Sequence, residues 1–324
     1  MSAAPDDATG AFTAMRGELI GLAYRMTGSL AQAEDIAQET FLRWNAADHA
    51  QVEVPRAFLL KIAARLSLDH LKSARSRRET YVGPWLPEPV LEDLEPPQQA
   101  ALARTQDISV AFLLTLQRLS PAERAVFILH DLFETPFAEI ATLLNRSGPA
   151  CRKLASRARP LLGEGSPRHA VSDDEARRMA RAFFAASRDG DVAALQRLLA
   201  SDVVLRTDGG GIRPAALNPV LGAEKVGRFF AGLARKSPGR PPLLHLGRIN
   251  SLPGYVTLEM DGLPQTTALE IRDGRIAAIY IMRNHAEPGE AGGARRQVQR
   301  PAAGAVTPPG TRHPANMTPR YNQG

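Results

Sequence analysis

The strongest constraint on the fold is a change in the spacing of apolar residues about halfway along the chain. Up to about position 162 they recur at helical spacing, as at Leu19, Leu22 and Met26. After a further helical stretch, the segments LLHLGRIN, GYVTLEM, QTTALEIRDG and RIAAIYIMR alternate as strands do, with Asp273-Gly274 as a hairpin turn. This order predicts all-α domains followed by an α+β domain with a curved antiparallel sheet.

Segments rich in proline and glycine divide the chain further. YVGPWLPEPVLEDLEPPQQ combines prolines with acids, and GEGSPRHAVSDDEARR is a second polar break, so both predict linkers. Beyond His285 large apolar residues almost disappear, which predicts a disordered tail. The predicted organisation is a helical domain over 10–80, a linker over 81–105, a helical domain over 106–163, a linker over 164–172, an α+β domain over 173–285 and a tail over 286–324.

Charge and cysteine content limit the kinds of protein this can be. The 324 residues carry a net charge of +6, which favours an anionic partner such as nucleic acid. Cys151 is the single cysteine, so a disulfide within the chain and a cysteine-based zinc site are excluded. The N-terminus has no apolar signal segment, and no apolar run reaches the ~18–20 residues of a membrane span. We therefore predict a cytoplasmic protein without cofactor, metal or membrane partner.

The stretch SGPACRKLASRARP contains four cations and no acid. A predicted helix, TPFAEIATLLN, precedes it, and the two are separated by the break NRSG, in which Ser147 is a possible N-cap. Two helices joined by a tight turn are the outline of a helix-turn-helix. A basic second helix can bond base edges and neutralise phosphates; the alternative is a solvated basic surface. Candidate DNA-contacting residues are Arg146, Ser147, Pro149, Arg152, Lys153 and Arg157.

Two segments together resemble sigma factors of the extracytoplasmic-function (ECF) type. AYRMTGSLAQAEDIAQETFLRW is similar to the core of their region 2, and LSPAERAVFILHDLFETPFAEIATLLNRSGPACRKLASRARPLL is similar to region 4. Residues 173–285 resemble a SnoaL-like domain, which has the nuclear-transport-factor-2-like fold. A subgroup with this fusion carries WLPEP and DGGG motifs, and both are present here. The stretch RNHAEPG departs from that subgroup's NPDKL-like motif, of which only Asn284 remains.

The resemblance implies that a helix of region 2 docks on the core of RNA polymerase. Matching positions lie three and four residues apart, which places the first three on one helix face. The alternative for Asp35 is that it complements the helix N-terminus. The polymerase-binding candidates are Asp35, Gln38, Glu39 and Arg43.

The segment after that helix matches the part of the family that opens the minus-ten promoter element. Bases of the separated strand need pockets, and its phosphates need cations. The alternative for Lys61 or His70 is an ordinary solvated side chain. The candidates are Asp48, His49 and Gln51 for bases, and Arg56, Lys61, Arg65, His70 and Lys72 for phosphates. Region 4 would read the minus-thirty-five element.

The C-terminal domain is interpreted as a regulatory module that contacts the sigma core near the linker. Its candidate contact residues are those of the two motifs: Trp85, Leu86, Pro87, Glu88 and Pro89, and Asp208, Gly209, Gly210 and Gly211. Ligand sensing or acid–base catalysis by Asp208, His245, Glu259 and Asp261 are alternatives.

The sequence thus favours a non-enzymatic sigma factor with core polymerase and promoter DNA as partners. Its activity would be modulated by contact between its own SnoaL-like domain and the sigma core. Two alternatives remain: a DNA-binding regulator that works without polymerase, and a small-molecule-sensing or enzymatic domain fused to a DNA-binding module.

Overall fold

The computed structural model describes residues 5–78, 85–92, 108–162, 172–210, 213–236, 239 and 241–283. The tail predicted over 286–324, most of the linker predicted over 164–172 and Asn284 lie outside these residues. The helices are α1 (Pro5–Thr27), α2 (Leu30–Asn45), α3 (Pro55–Arg78), α4 (Val110–Gln117), α5 (Pro121–Phe127), α6 (Phe137–Leu144), α7 (Gly148–Leu162), α8 (Asp173–Asp189), α9 (Val192–Leu198) and α10 (Ala223–Lys236). The strands are β1 (Leu199–Asp208), β2 (Val220–Leu221), β3 (Leu243–Ile249), β4 (Leu252–Leu258), β5 (Pro264–Arg272) and β6 (Arg275–Met282).

Helices α1 to α3 form the first helical group. Gly28, with φ 77°, ends α1, and a left-handed residue here favours glycine because no Cβ is crowded. Long α3 begins at Pro55, where the missing amide is tolerated. Apart from Val110, the buried apolar residues of α4–α7 belong to the same cluster as those of α1–α3, so the two helical groups share one core.

Helices α5 to α7 form the helix-turn-helix. A capping box between Ser120 and Glu123 begins α5, as the sequence predicts. Asn145, with φ 51°, ends α6, and the Ser147 hydroxyl then accepts a hydrogen bond from the Ala150 amide at the start of α7. A single π-helical turn at Ile128–Leu132 follows α5; the apolar spacing of the sequence did not indicate it.

The C-terminal part is α+β, which confirms the predicted fold class. Its six strands lie in the order β2-β1-β6-β5-β4-β3. The sheet is mixed rather than wholly antiparallel, because β1 pairs in parallel with β6. Helix α10 connects β2 at one edge to β3 at the other, and three hairpin turns then return the chain to the side of β1. Alternation in the sequence locates strands but does not give their partners, which is why the parallel pair was not predicted.

Both faces of this sheet are covered. Successive residues of a strand point to opposite faces. Leu269 and Ile279 accordingly pack with Phe183 of α8 in one apolar cluster. Their neighbours Ala268 and Tyr280 belong to a second cluster with Leu86, Leu91 and Val110, which come from the first linker and α4. The outer face of the sheet therefore packs against the helical half of the chain.

Candidate polymerase, promoter and linker surfaces

Helix α2 presents a polar face to solvent. Asp35 and Gln38 are exposed, and Glu39 forms an ion pair with Arg43 at 2.8 Å between Oε1 and Nε. Leu42 lies on the same face at helical spacing and is 56% exposed, which is a high value for a leucine. The sequence analysis did not single out Leu42. It follows Glu39 by three residues and Gln38 by four, a spacing that already places it on the same helix face. The face thus combines acids, an amide and one apolar side chain.

The N-terminus of α2 is capped partly from outside the helix. Ser29 Oγ accepts from the Gln32 amide, as predicted. The carboxylate of Glu88, in the WLPEP segment, accepts from the Leu30 amide at 2.7 Å, from the Ala31 amide at 3.3 Å and from Ser29 Oγ at 3.1 Å. A carboxylate at this position complements the helix dipole. Burial raises the pKa of Glu88 above its ordinary value.

The three base-pocket candidates form local hydrogen bonds. Asp48 accepts from the Ala50 amide at 3.1 Å and from the Gln51 side chain at 2.9 Å, which fixes a short 3-10 turn. The His49 ring lies 4.2 Å from the Trp44 indole, and its Nε2 is 2.8 Å from the Trp44 carbonyl oxygen. These contacts shape the loop, in which Asp48 and Gln51 are exposed and His49 is half-buried.

The phosphate candidates on α3 differ in their surroundings. The Arg56 guanidinium lies 3.0 Å from Glu18 and 3.4 Å from the Phe133 carbonyl, which belongs to the second helical group. Lys61 and Arg65 are exposed. Lys72 pairs with Asp69 at 3.1 Å, and His70 is half-buried.

A cavity of about 440 Å³ lies between the start of α3 and helix α6. Gln51 and Lys61 line one wall, and Glu139, Ile140 and Leu143 line the other. Residues predicted to hold the separated strand therefore face region 4 across this cavity.

Helix α7 has one buried side and one side exposed to solvent. Cys151, Ala155 and Ala158 are buried on one side, and burial raises the pKa of the Cys151 thiol. All six candidates are exposed, two of them just before the helix and four on it: Arg146, Ser147, Pro149, Arg152, Lys153 and Arg157. Among the described residues, the four cations of this set form no ion pair. They can therefore approach a phosphate backbone without first breaking one.

The two motif segments are joined by a hydrogen bond. Asp208 Oδ2 accepts from the Leu86 amide at 2.7 Å, and Oδ1 accepts from the Gly210 amide at 2.8 Å. A Cβ on Gly209 would lie 2.1 Å from the Arg213 carbonyl oxygen, so glycine is required for this close approach. Trp85 is half-buried and Pro87 and Pro89 are buried, whereas Gly211 lies outside the described residues.

Asn250, in the turn between β3 and β4, was not singled out from the sequence. Its side-chain oxygen accepts from the Val90 amide at 3.0 Å. Its side-chain nitrogen donates to the Tyr24 hydroxyl at 2.6 Å and to the Ile108 carbonyl at 3.3 Å. No local pattern predicts such contacts, because the partners are 142 to 226 residues away.

The carboxylates considered for catalysis are each held by separate partners. Asp208 accepts from backbone amides, as described above. Glu259 pairs with Arg188 at 2.6 Å, and Asp261 lies 3.5 Å from Arg213 and 3.8 Å from Arg283. Across the described part of the chain, no group of three or more His, Cys, Asp or Glu side chains could hold a metal ion. The helices described here include none with the length and apolar character needed to span a membrane.

Comparison with known proteins covers both halves of the chain. The family models for Sigma-70 region 2 and Sigma-70 region 4 match residues 11–77 and 109–162. The ECF RNA polymerase sigma factor SigJ of Mycobacterium tuberculosis (strain H37Rv) is 40% identical over 288 residues, which cover 84% of this chain and 90% of the relative. The probable ECF RNA polymerase sigma factor SigI of the same organism is 31% identical over 284 residues, covering 86% and 93%.

A solved structure gives the same result. The crystal structure of the M. tuberculosis extracytoplasmic function sigma factor SigJ matches with a TM-score of 0.68 and 36% identity, covering 85% of this chain and 96% of that one. The match therefore extends through the C-terminal sheet as well as the two helical groups. The protein belongs to the extracytoplasmic-function family of RNA polymerase sigma factors.

Proposed function

We propose that this protein binds the core of RNA polymerase through α2, reads promoter DNA through α7 and helps to open the duplex through the segment from Asp48 to Lys72. The observation that carries the proposal is the α2 face. An exposed leucine among polar side chains is stabilising only when a partner covers it, and charged neighbours then give the contact its orientation. A regulator that binds DNA alone has no use for such a face.

The recognition helix supports the second part of the proposal. Its exposed Arg152, Lys153 and Arg157 can hold phosphates and bond guanine edges in the major groove. Promoter choice and strand opening are binding events, so this chain needs no catalytic residue for them, and the polymerase supplies the chemistry. We place the protein in the cytoplasm, with core polymerase and promoter DNA as its partners.

We further propose that the SnoaL-like domain modulates this activity through the WLPEP segment. The bond from the Leu86 amide to Asp208 and the bonds from α2 to Glu88 support this role. They connect the C-terminal domain to the N-terminus of the polymerase-binding helix through three consecutive residues, Leu86 to Glu88. A shift of the linker would therefore alter the position or stability of α2.

The experiment is reconstituted transcription with core polymerase, using wild type and the double variant D35K/E39K. We expect the variant to lose core binding by at least ~10-fold, because like charges at an interface cost several kcal/mol. The matched control is D202K/E224K, which makes the same charge change on the C-terminal domain and also disrupts an acid–arginine pair four residues apart. Holoenzyme assembly that survives D35K/E39K unchanged, or that fails equally in the control, contradicts the proposal.

A further inference from the structure

The cavity between the start of α3 and helix α6 is apolar at its base. Its volume of about 440 Å³ falls within the range of about 300–1,000 Å³ that is typical of small-molecule sites. The lining residues Leu60, Leu129 and Ile140 are buried, and Val54 at the edge is 57% exposed. Burial of apolar surface under an apolar molecule is favourable. The cavity therefore favours an apolar occupant.

The wall that region 4 contributes follows the π-helical turn at Ile128–Leu132. Turns of this kind are rare and are frequent at functional sites. Leu129 and Thr135 both line the cavity, and the Thr135 amide donates to the Leu129 carbonyl at 2.8 Å. Glu134 between them has φ 56°, which is uncommon for a residue other than glycine. The local backbone thus departs from a regular helix at the point where it forms this wall.

Thr135 brings a hydroxyl group without a partner to this wall. Its Oγ1 is buried and forms no hydrogen bond among the described residues. An unpaired buried polar group is costly, and the great majority of such groups in proteins have a partner. Rotation about the Cα–Cβ bond moves this hydroxyl among three staggered positions. A molecule in the cavity that carries a hydrogen-bonding group can therefore supply the missing partner.

The entrance of the cavity carries charged side chains. Glu53, Lys61 and Glu139 line it and are exposed. Two carboxylates and one ammonium group leave the entrance acidic, which disfavours an anionic molecule relative to a neutral one.

A polypeptide segment would be a poor occupant of this cavity. Each of its residues carries a backbone N–H and C=O that need partners when they are buried. The base is apolar, and Thr135 offers it a single hydroxyl group. A small molecule with one hydrogen-bonding group leaves no polar group unpaired there.

We propose that this cavity binds an uncharged, largely apolar small molecule of about two or three rings, with one hydrogen-bonding group that pairs with Thr135 Oγ1. The site goes beyond the proposed function, which requires no such molecule. Because α3 forms one wall and α6 the other, the occupant contacts both helical groups. Its binding therefore raises the melting temperature of the protein.

The test uses the full-length protein and the fluorescent probe N-phenyl-1-naphthylamine, which is uncharged and carries a single N–H group. A57L fills the cavity, because Ala57 lines it and is half-buried. The matched control is A185L, at another half-buried alanine within a helix, α8. T135V removes the hydroxyl with little change in shape, whereas T135S keeps it. The readouts are the Kd from fluorescence titration and the melting temperature with and without the probe.

We expect A57L to weaken probe binding at least ~10-fold and T135V at least ~3-fold, with T135S within ~2-fold of wild type and A185L unchanged. The probe should raise the melting temperature of wild type and A185L. The sulfonate analogue 1-anilinonaphthalene-8-sulfonate has the same rings and N–H group but is anionic, so it should bind wild type at least ~3-fold more weakly.

Equal affinities in wild type and A57L, or an equal loss in A185L, overturn the inference. If A57L does not fold, T135V decides, because wild-type affinity in that variant removes the hydroxyl as the polar partner. Probe binding that appears only after residues 93–107 are replaced by a glycine–serine linker of equal length would assign the cavity to the chain itself, and it also overturns the inference. None of these measurements uses polymerase, so failure of the proposed function would leave their outcome unchanged.

Discussion

The two surfaces proposed to meet DNA differ in the bonds that their side chains already form. All six candidate residues in and just before α7 are exposed, and the helix buries only the side that carries Cys151, Ala155 and Ala158. In the segment from Asp48 to Lys61, polar side chains bond each other or region 4, and Arg56 donates to the Phe133 carbonyl. The candidates in and just before α7 can meet a duplex as they stand, whereas Asp48, Gln51 and Arg56 are exposed but already form hydrogen bonds within the protein.

This difference separates two tasks of promoter recognition. Reading an intact duplex requires only an exposed helix with cations. Holding a separated strand requires bases to stack or enter pockets and cations to meet the backbone, so side chains that are already bonded must exchange those bonds for contacts with the strand. We therefore expect binding of the upstream element and holding of the separated strand to respond differently to the same substitution.

The largest effect is expected from reversing charge on the exposed surface. R152E/K153E should weaken promoter binding by the holoenzyme at least ~100-fold, because phosphate and base contacts become repulsive. R177E/R178E is the control, since these arginines are also adjacent and exposed on a helix, α8. Filter binding at two salt concentrations measures the affinity and the salt slope. Equal losses in both variants would mean that α7 does not read DNA.

The next effect concerns the bond between the two motif segments. D208N keeps one oxygen for the Gly210 amide but leaves the buried Leu86 amide without an acceptor, so it should lower the free energy of unfolding by about 1–3 kcal/mol. D261N, at a carboxylate that is 41% exposed, should cost no more than about 1 kcal/mol. Urea denaturation measures both, and a smaller loss in D208N than in D261N would contradict the account.

Arg56 joins region 2 to region 4 through the Phe133 carbonyl and is also a candidate for holding strand phosphates. R56K keeps a charge for phosphate but loses the planar donors that reach the Phe133 carbonyl, so it should form open complexes at close to the wild-type rate. R56A loses both functions and should slow open-complex formation by roughly 10-fold. Stopped-flow fluorescence on a labelled promoter compares them. Identical behaviour of the two variants would show that Arg56 has only one of these roles.

The smallest effect is a pH dependence at Glu88. Burial raises its pKa in the folded state, so the stability that this group contributes is fully present below the ordinary glutamate pKa and is lost as pH rises through the folded pKa. E88Q cannot titrate, and its stability relative to wild type should therefore improve as pH rises from about 4.5 to 8. E123Q, at the exposed capping box, serves as control. A stability difference independent of pH would contradict the burial argument.

Sequence reasoning succeeded where the interactions are local. The capping box at Ser120, the helix end at Gly28 and the exposed side of α7 follow from residues within one or two turns. The family resemblance supplied the α2 face and the two motifs. The helix and strand segments of the α+β part were likewise predictable from their spacing.

Long-range features were not predictable in this way. Glu88 caps a helix 58 residues earlier in the chain, and Asn250 bonds Tyr24 across 226 residues. The parallel pairing of β1 with β6 depends on a connection through α10 that no strand pattern encodes. In each case the stabilising contact is made with a partner that only the complete fold brings near. The local sequence therefore does not indicate the contact.

Permanganate reactivity of promoter thymines tests the central claim most directly. Free protein and reconstituted holoenzyme are compared on the same promoter fragment, with footprinting of the upstream element in parallel. The account predicts that free protein protects only the upstream element, weakly, and leaves downstream thymines unreactive, whereas the holoenzyme makes them reactive. Reactive thymines with free protein alone, or none with the holoenzyme, would contradict it.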